Sequence, residues 1–204
     1  MSGKWYAVAR GLKPGVYQSW AETKEQVYGT KGAVYKSFST EEEAEAFVYN
    51  NRDFPLGVPG EVYAWVDGSN LEDGSRFSGS VSVEVDGKEI WSHYDSSSND
   101  PEDLRNILGE ITGALMAIQY MKDNGLDRIH ICHDYVGVGS WPNGYDSKSE
   151  LGKRYKKYVN ELRAQGYDIR FIKVKGHDGL LFNERADWLA REALSLNKKD
   201  WQWP

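Results

Sequence analysis

Cysteine is almost missing from this chain: Cys132 is the only one in 204 residues. A disulfide framework and a thiolate metal cluster are both excluded, and Cys132, inside an apolar stretch, reads as a small core residue of a buried strand. Long hydrophobic runs are also missing. Nothing approaches the roughly 18 apolar residues of a membrane span, and Met1–Tyr6 lacks the apolar block of a secretory signal. A membrane partner is therefore not expected, and a cytoplasmic location and a monomeric state are. Repeats and low-complexity tracts are absent too. With 40% hydrophobic and 27% charged residues the chain is ordinary globular material, enough for one large domain or for a small one followed by a medium one.

The charge balance is acidic, with a formal net charge of -6. It hides a local excess: residues 148–175 carry nine Lys and Arg against three acids. Such a helix is either a solvated face or a contact for a polyphosphate partner.

Composition divides the chain into a first domain at 1–50, a linker at 51–60, a second domain at 61–197 and a tail at 198–204. In the first, Lys4–Gly11 and Val16–Trp20 alternate around the turn Lys13-Pro14-Gly15 and predict a hairpin. A short helix over 23–28, a strand over 33–38 and a helix opened by Ser39-Thr40-Glu41-Glu42-Glu43 follow. The linker carries two prolines and two glycines between 51 and 60, which break all periodicity.

The second domain opens with a strand over 62–66 that ends at Asp67-Gly68-Ser69. A hairpin through Asp86-Gly87 joins alternating strands at 77–85 and 89–94. Helices are predicted over 106–122, 149–165 and 183–196, and strands over 127–133 and 168–174. This β-β-β-α-β-α-β-α order is an α/β fold with a mixed sheet and flanking helices.

Four carboxylates fall where an acid is costly. Asp67 and Asp134 terminate apolar strands, Asp187 lies in the first turn of the last helix, and Glu110 lies three residues after Ile107 and four before Ala114, both core-facing. Converging buried anions need protons or cations. An all-oxygen site suits Mg²⁺, with Mn²⁺ as substitute, and two such ions can clamp a phosphodiester. The same residues also read as ordinary turn and cap residues, and spacing alone does not decide.

Taken together, the motifs resemble a known family. Asp67-Gly68-Ser69, Asn106-Ile107-Leu108-Gly109-Glu110, Asp134-Tyr135, Val174-Lys175-Gly176-His177 and Asn183-Glu184-Arg185-Ala186-Asp187 occur in the order of type 1 ribonuclease H, across residues 61–196. The first domain separately resembles the hybrid-binding, or viroplasmin-like, module. The matching stretches are Tyr6-Ala7-Val8-Ala9-Arg10-Gly11, Gly15-Val16-Tyr17-Gln18-Ser19-Trp20 and Tyr35-Lys36-Ser37-Phe38.

The resemblance implies a ribonuclease H-like five-stranded mixed sheet preceded by a small α+β domain with a three-stranded sheet. It implies cleavage of the RNA strand of an RNA/DNA hybrid, leaving 5′-phosphate and 3′-hydroxyl ends. Asp67, Glu110, Asp134 and Asp187 carry over as ligands of two metal ions, with Asp67 bridging and Glu110 beside the RNA 2′-hydroxyl. His177 carries over as the histidine that assists proton transfer or product release. Asn106, Ser69 and Asn70 are placed to contact the substrate, Asn106 with a competing role as helix N-cap. In the first domain, Tyr6 and Trp20 would lie against deoxyribose and Arg10 and Lys36 at phosphates, with a core position as the other reading of Trp20.

Three departures stand out. Lys36-Ser37 replaces the paired lysines of many hybrid-binding modules, Tyr135 follows Asp134 where other branches have serine, and a Trp-rich basic protrusion is not evident. Two other functions fit the same residues: a non-catalytic hybrid or duplex binder, and a DNA-directed nuclease of the same fold.

Overall fold

In the computed structural model of the chain, residues 4–176, 179–197 and 199–203 are described. His177 lies outside them, as do Lys198 and Pro204 of the tail. The chain divides into two compact units, residues 1–54 and 55–204.

In the first unit β1 (Trp5–Arg10) is the centre of an antiparallel sheet of order β2-β1-β3, with β2 at Gly15–Tyr17 and β3 at Val34–Phe38. Two helices, α1 (Trp20–Val27) and α2 (Glu41–Asn50), complete it. The α1 helix begins at Trp20 rather than Thr23, because Ser19 and Glu22 close a capping pair: Glu22 N–H donates to Ser19 Oγ at 3.2 Å, and Ser19 Oγ–H donates to Glu22 Oε2 at 2.8 Å. Thr40 caps α2 as expected, accepting from Glu43 N–H. The core is small, built on Ala7, Val8, Val27, Ala44 and Phe47.

In the second unit the sheet order is β6-β5-β4-β7-β8. Strands β4 (Tyr63–Asn70), β5 (Phe77–Val85) and β6 (Lys88–Ser97) are antiparallel, and β7 (Arg128–His133) and β8 (Asp168–Lys173) add in parallel to β4. The β5–β6 turn is the expected Asp86-Gly87, with φ of 52° and 76°. Helices α3 (Asn106–Asp123), α4 (Val136–Ser140), α5 (Glu150–Ala164) and α6 (Leu181–Glu192) flank it. Valines and isoleucines of β4, β5 and β7 meet Ile111, Ala114, Ile118 and Tyr155 in the main core.

Several expectations are corrected. Strand β4 does not end at Asp67; it runs to Asn70, because β5 continues to pair with it through Ser69 and Asn70. Asp187 is the seventh residue of α6, in its second turn, because the helix starts at Leu181. Asn106 is not the N-cap of α3: Arg105 occupies the cap position, and Asp100 takes the donors ahead of the helix, Leu104 N and Arg105 N. The short helix α4, between β7 and α5, adds to the predicted elements. The basic helix α5 spends much of its charge inside the chain. Lys153 pairs with Glu150, Lys156 with Asp146 and Lys157 with Glu161, while Arg163 donates to Ile169 O and Pro142 O. The tail folds back on α6, where Trp201 meets Trp188 and Trp203 meets Phe182, both indoles near the Arg185 guanidinium.

Helix α3 lies backbone-to-backbone on β4 and β5. A Cβ on Gly109 would overlap Ser78 O and stand 2.9 Å from Gly68 Cα, and one on Gly68 would stand 2.6 Å from Glu110 N. Alanine in a helix interior ordinarily stabilises by about 0.5–1 kcal/mol relative to glycine. Here Gly109→Ala is expected to destabilise by about 1–3 kcal/mol through overpacking, read as a lower urea midpoint; an unchanged or higher midpoint would contradict the contact.

Candidate active site

The close seat of α3 sets the site. One turn of backbone lies against Gly68, so Glu110 enters next to Asp67 at the margin of the sheet. Asp134 arrives from the next strand, directly after β7. Oxygens of Asp67, Glu110 and Asp134 lie within 4.8 Å of one another. Asp187 on α6 completes the group, within hydrogen-bond reach of Asp67. All four carboxylates singled out in the sequence are therefore brought together.

The electrostatics are those of crowded anions. Burial, then the neighbouring Asp187 and Asp134 carboxylates, push Asp67 up to about 8, although Gly68 N–H donates to its Oδ1 at 2.7 Å. Glu110 is 3% exposed. Burial, then a proton shared with Asp134, push it up to about 10. Its Oε2 is sealed from solvent with no hydrogen-bond donor among the described residues.

These features fit a hard divalent cation. The donor set is carboxylate oxygen alone, one oxygen is orphaned, and positive charge at the centre would replace the protons that the anions otherwise hold. The imidazole beside Asp134 does not join the set: His133 Nδ1–H donates to Tyr135 O at 2.8 Å. Burial lowers its pKa to about 4, so it is neutral and serves the turn. Lys173 Nζ donates to Asp134 O and Val174 O, tying the same turn to the exit of β8.

The substrate-contact candidates fall at two places. Asn106 is exposed at the head of α3, one turn before Glu110, and Ser69 and Asn70 are half-buried where β4 runs past Asp67. The Asn70 amide donates to Leu71 O at 2.8 Å. In the first unit Trp20 is 46% exposed, which removes the core reading. Its ring stands 6.0 Å from Tyr6 and 5.8 Å from Tyr35, so three aromatics form one platform. Arg10 is exposed at 3.7 Å from Asp53, and Lys36 lies over Phe38.

Sequence reasoning missed Tyr35 as part of the platform, and it missed the glycines that seat α3. The signal for the latter was available. Gly109 and Gly113 lie four apart on one helix face, each at a cost in helix propensity that only close packing explains.

Known proteins resemble this chain in sequence and in fold. The ribonuclease H1 N-terminal domain family matches residues 4–48. Ribonuclease H1 of Rattus norvegicus is 25% identical, over 96% of this chain and 91% of its own. Ribonuclease H of Saccharomyces cerevisiae is 46% identical over 96% of this chain, which spans 51% of it. Among solved structures, ribonuclease H1 of Halobacterium salinarum NRC-1 has a TM-score of 0.56 at 23% identity, covering 67% of this chain and 98% of that one. LC11-RNase H1, solved in complex with an RNA/DNA hybrid, also has a TM-score of 0.56, at 15% identity over 66% of this chain and 97% of that one. The mixed sheet and the matched N-terminal unit agree with these relatives, and the chain is similar to type 1 ribonucleases H along nearly its whole sequence, with an N-terminal unit that matches the ribonuclease H1 N-terminal domain family.

Proposed function

We propose that this protein is an endonuclease that hydrolyses the RNA strand of RNA/DNA hybrids with the aid of divalent cations, leaving 5′-phosphate and 3′-hydroxyl ends. The observation that carries the reading is the convergence of Asp67, Glu110 and Asp134 within 4.8 Å, with Asp187 in contact with Asp67. The relatives are named ribonuclease H and ribonuclease H1, and LC11-RNase H1 has been seen on an RNA/DNA hybrid.

Asp67, Glu110, Asp134 and Asp187 would hold two ions, Mg²⁺ or Mn²⁺. When bound, the ions supply Lewis-acid charge at the attacking and leaving oxygens of the scissile ester. The chain's own residues do the rest. Glu110 would lie beside the 2′-hydroxyl that distinguishes RNA, and Asn106, Ser69 and Asn70 would offer amide and hydroxyl contacts to the substrate. His177, outside the described residues, is assigned to proton transfer or product release by its place in the matched motif.

The first unit is a hybrid-binding module in this reading. Tyr6, Trp20 and Tyr35 offer π faces to sugar or base, and Arg10 and Lys36 offer charge to phosphates. An exposed tryptophan braced by two tyrosines supports a binding surface, since burial of a core does not require it.

Three outcomes are expected. Asp134→Asn should fold normally and cut a labelled hybrid in Mg²⁺ at about one-hundredth of the wild-type rate or less; undiminished cutting would remove Asp134 from the site. Trp20→Ala should weaken hybrid binding about 10-fold at constant salt, measured by fluorescence anisotropy on the full chain; unchanged affinity would contradict the platform.

The third concerns pH. Glu110 has its folded-state pKa raised from 4.5 to about 10, so its contribution to stability is complete below the unfolded value and is lost as pH rises through that window. Glutamine cannot ionise. Without divalent cations, Glu110→Gln should therefore raise the thermal midpoint at pH 8 by about 3 °C or more, and the gain should vanish near pH 4. A midpoint at pH 8 that is unchanged or lower would contradict the crowding of anions.

A further inference from the structure

Strand β5 shows opposite chemistry on its two faces. Gly79, Val81 and Val83 meet α3 and the main core, whereas Ser78, Ser80 and Ser82, all 0% exposed, face the other way toward α6. A buried hydroxyl is costly unless bonded, and each of these is bonded. Ser78 Oγ donates to Ala190 O at 2.6 Å, Ser80 Oγ to Ala186 O at 2.6 Å, and Ser82 Oγ to Glu89 Oε2 at 2.6 Å.

The acceptor of Ser80 lies well inside α6, where the helical ladder already engages the carbonyl. The serine bond is not needed to satisfy a helix end, so its consequence is placement. Two residues along a strand advance about 6.8 Å and four along a helix advance about 6.0 Å, so the two hydroxyls match the two carbonyls in one register of α6. A slip of a single residue rotates the helix by about 100°, breaking both bonds and turning Asp187 away from the other carboxylates.

Ser80 is also the cross-strand partner of Asp67, with its Oγ 3.5 Å from Asp67 O. Asp187 follows Ala186 directly. One hydroxyl thus touches the backbone on both sides of the Asp67–Asp187 pair. Ser78 makes the same kind of bond to Ala190, nearly a turn beyond Asp187, without touching the backbone of Asp67.

The geometry points to Ser80 as a positioning residue. It fixes the separation of Asp67 and Asp187 and so sets the affinity for the divalent cation that this pair would hold. This rests on the metal-dependent reading of the site given above. Ser78 secures the helix equally and leaves that affinity alone.

The test is Mn²⁺ binding to the full chain without substrate, by titration calorimetry, for the wild type, Ser80→Ala and Ser78→Ala. Both variants should show similarly lowered thermal midpoints. Ser80→Ala alone should bind Mn²⁺ about 10-fold more weakly, as losses of groups that orient metal ligands do. The Mg²⁺ concentration for half-maximal hybrid cleavage should rise by the same factor while kcat at saturating Mg²⁺ stays within about twofold. Ser80→Cys, which keeps the volume and a weak donor, should fall between wild type and alanine, and it carries the comparison if Ser80→Ala does not fold. Affinity in Ser80→Ala equal to that of the wild type or of Ser78→Ala would overturn the positioning role alone. Absence of saturable Mn²⁺ binding by the wild type would overturn the metal reading, and the positioning role with it.

Discussion

The backbone of α3 lies against the backbone of β4 and β5, and the site depends on that contact. Gly68 and Gly109 meet with no side chain between them, and Gly79 faces Gly109 O and Gly113 faces Ser80 O in the same way. A helix held off by ordinary side chains stands about 8–10 Å from its neighbour. Without that spacing, Glu110 comes directly beside Asp67. Proximity is costly to the fold, because burial and like charge force protons onto carboxyls that would ionise in water. Sites of this kind trade stability for function, and here the offset is found in the packed valine and isoleucine core beneath α3.

The opposite side of the sheet is organised by polar contacts. Serine hydroxyls on β5 take the carbonyls of α6, Ser82 passes the connection to Glu89, and Glu89 holds Arg185 at 3.0 Å. Arg185 in turn lies against Trp188, Trp201 and Trp203. The helix bearing Asp187 is thus fixed on its inner face by hydrogen bonds and on its outer face by the tail. Asp67, paired with Ser80 on this face while Glu110 reaches in from the other, is where the two layers meet.

Much of this was legible in the sequence for identifiable reasons. The Asp86-Gly87 hairpin follows from the left-handed backbone that turn needs, and the Ser149 start of α5 from a hydroxyl cap. The acid at the end of an apolar strand marked Asp134, and helical spacing between Ile107 and Ala114 marked Glu110. Other features were hidden because they depend on partners far along the chain. Asp67 lies within a strand because β5 extends the pairing past the point where its own sequence turns polar. Trp20 looked like a strand end because alternation was followed past Ser19, whose capping pair with Glu22 takes precedence. Asn106 lost the cap position to Arg105, which follows the turn that Asp100 closes by accepting from Leu104 N and Arg105 N. The serines of β5 alternate with its apolar residues and so read as a solvent face, since a buried hydroxyl is indistinguishable from an exposed one until the helix above it is known.

The central claim is that four carboxylates from separate elements share divalent cations. A crystal soaked in Mn²⁺ and measured at an anomalous wavelength tests it most directly. The account predicts anomalous peaks about 2.1 Å from oxygens of Asp67, Glu110, Asp134 and Asp187. Peaks confined to other surfaces, or carboxylates that stay in mutual contact with no ion between them at saturating Mn²⁺, would contradict it.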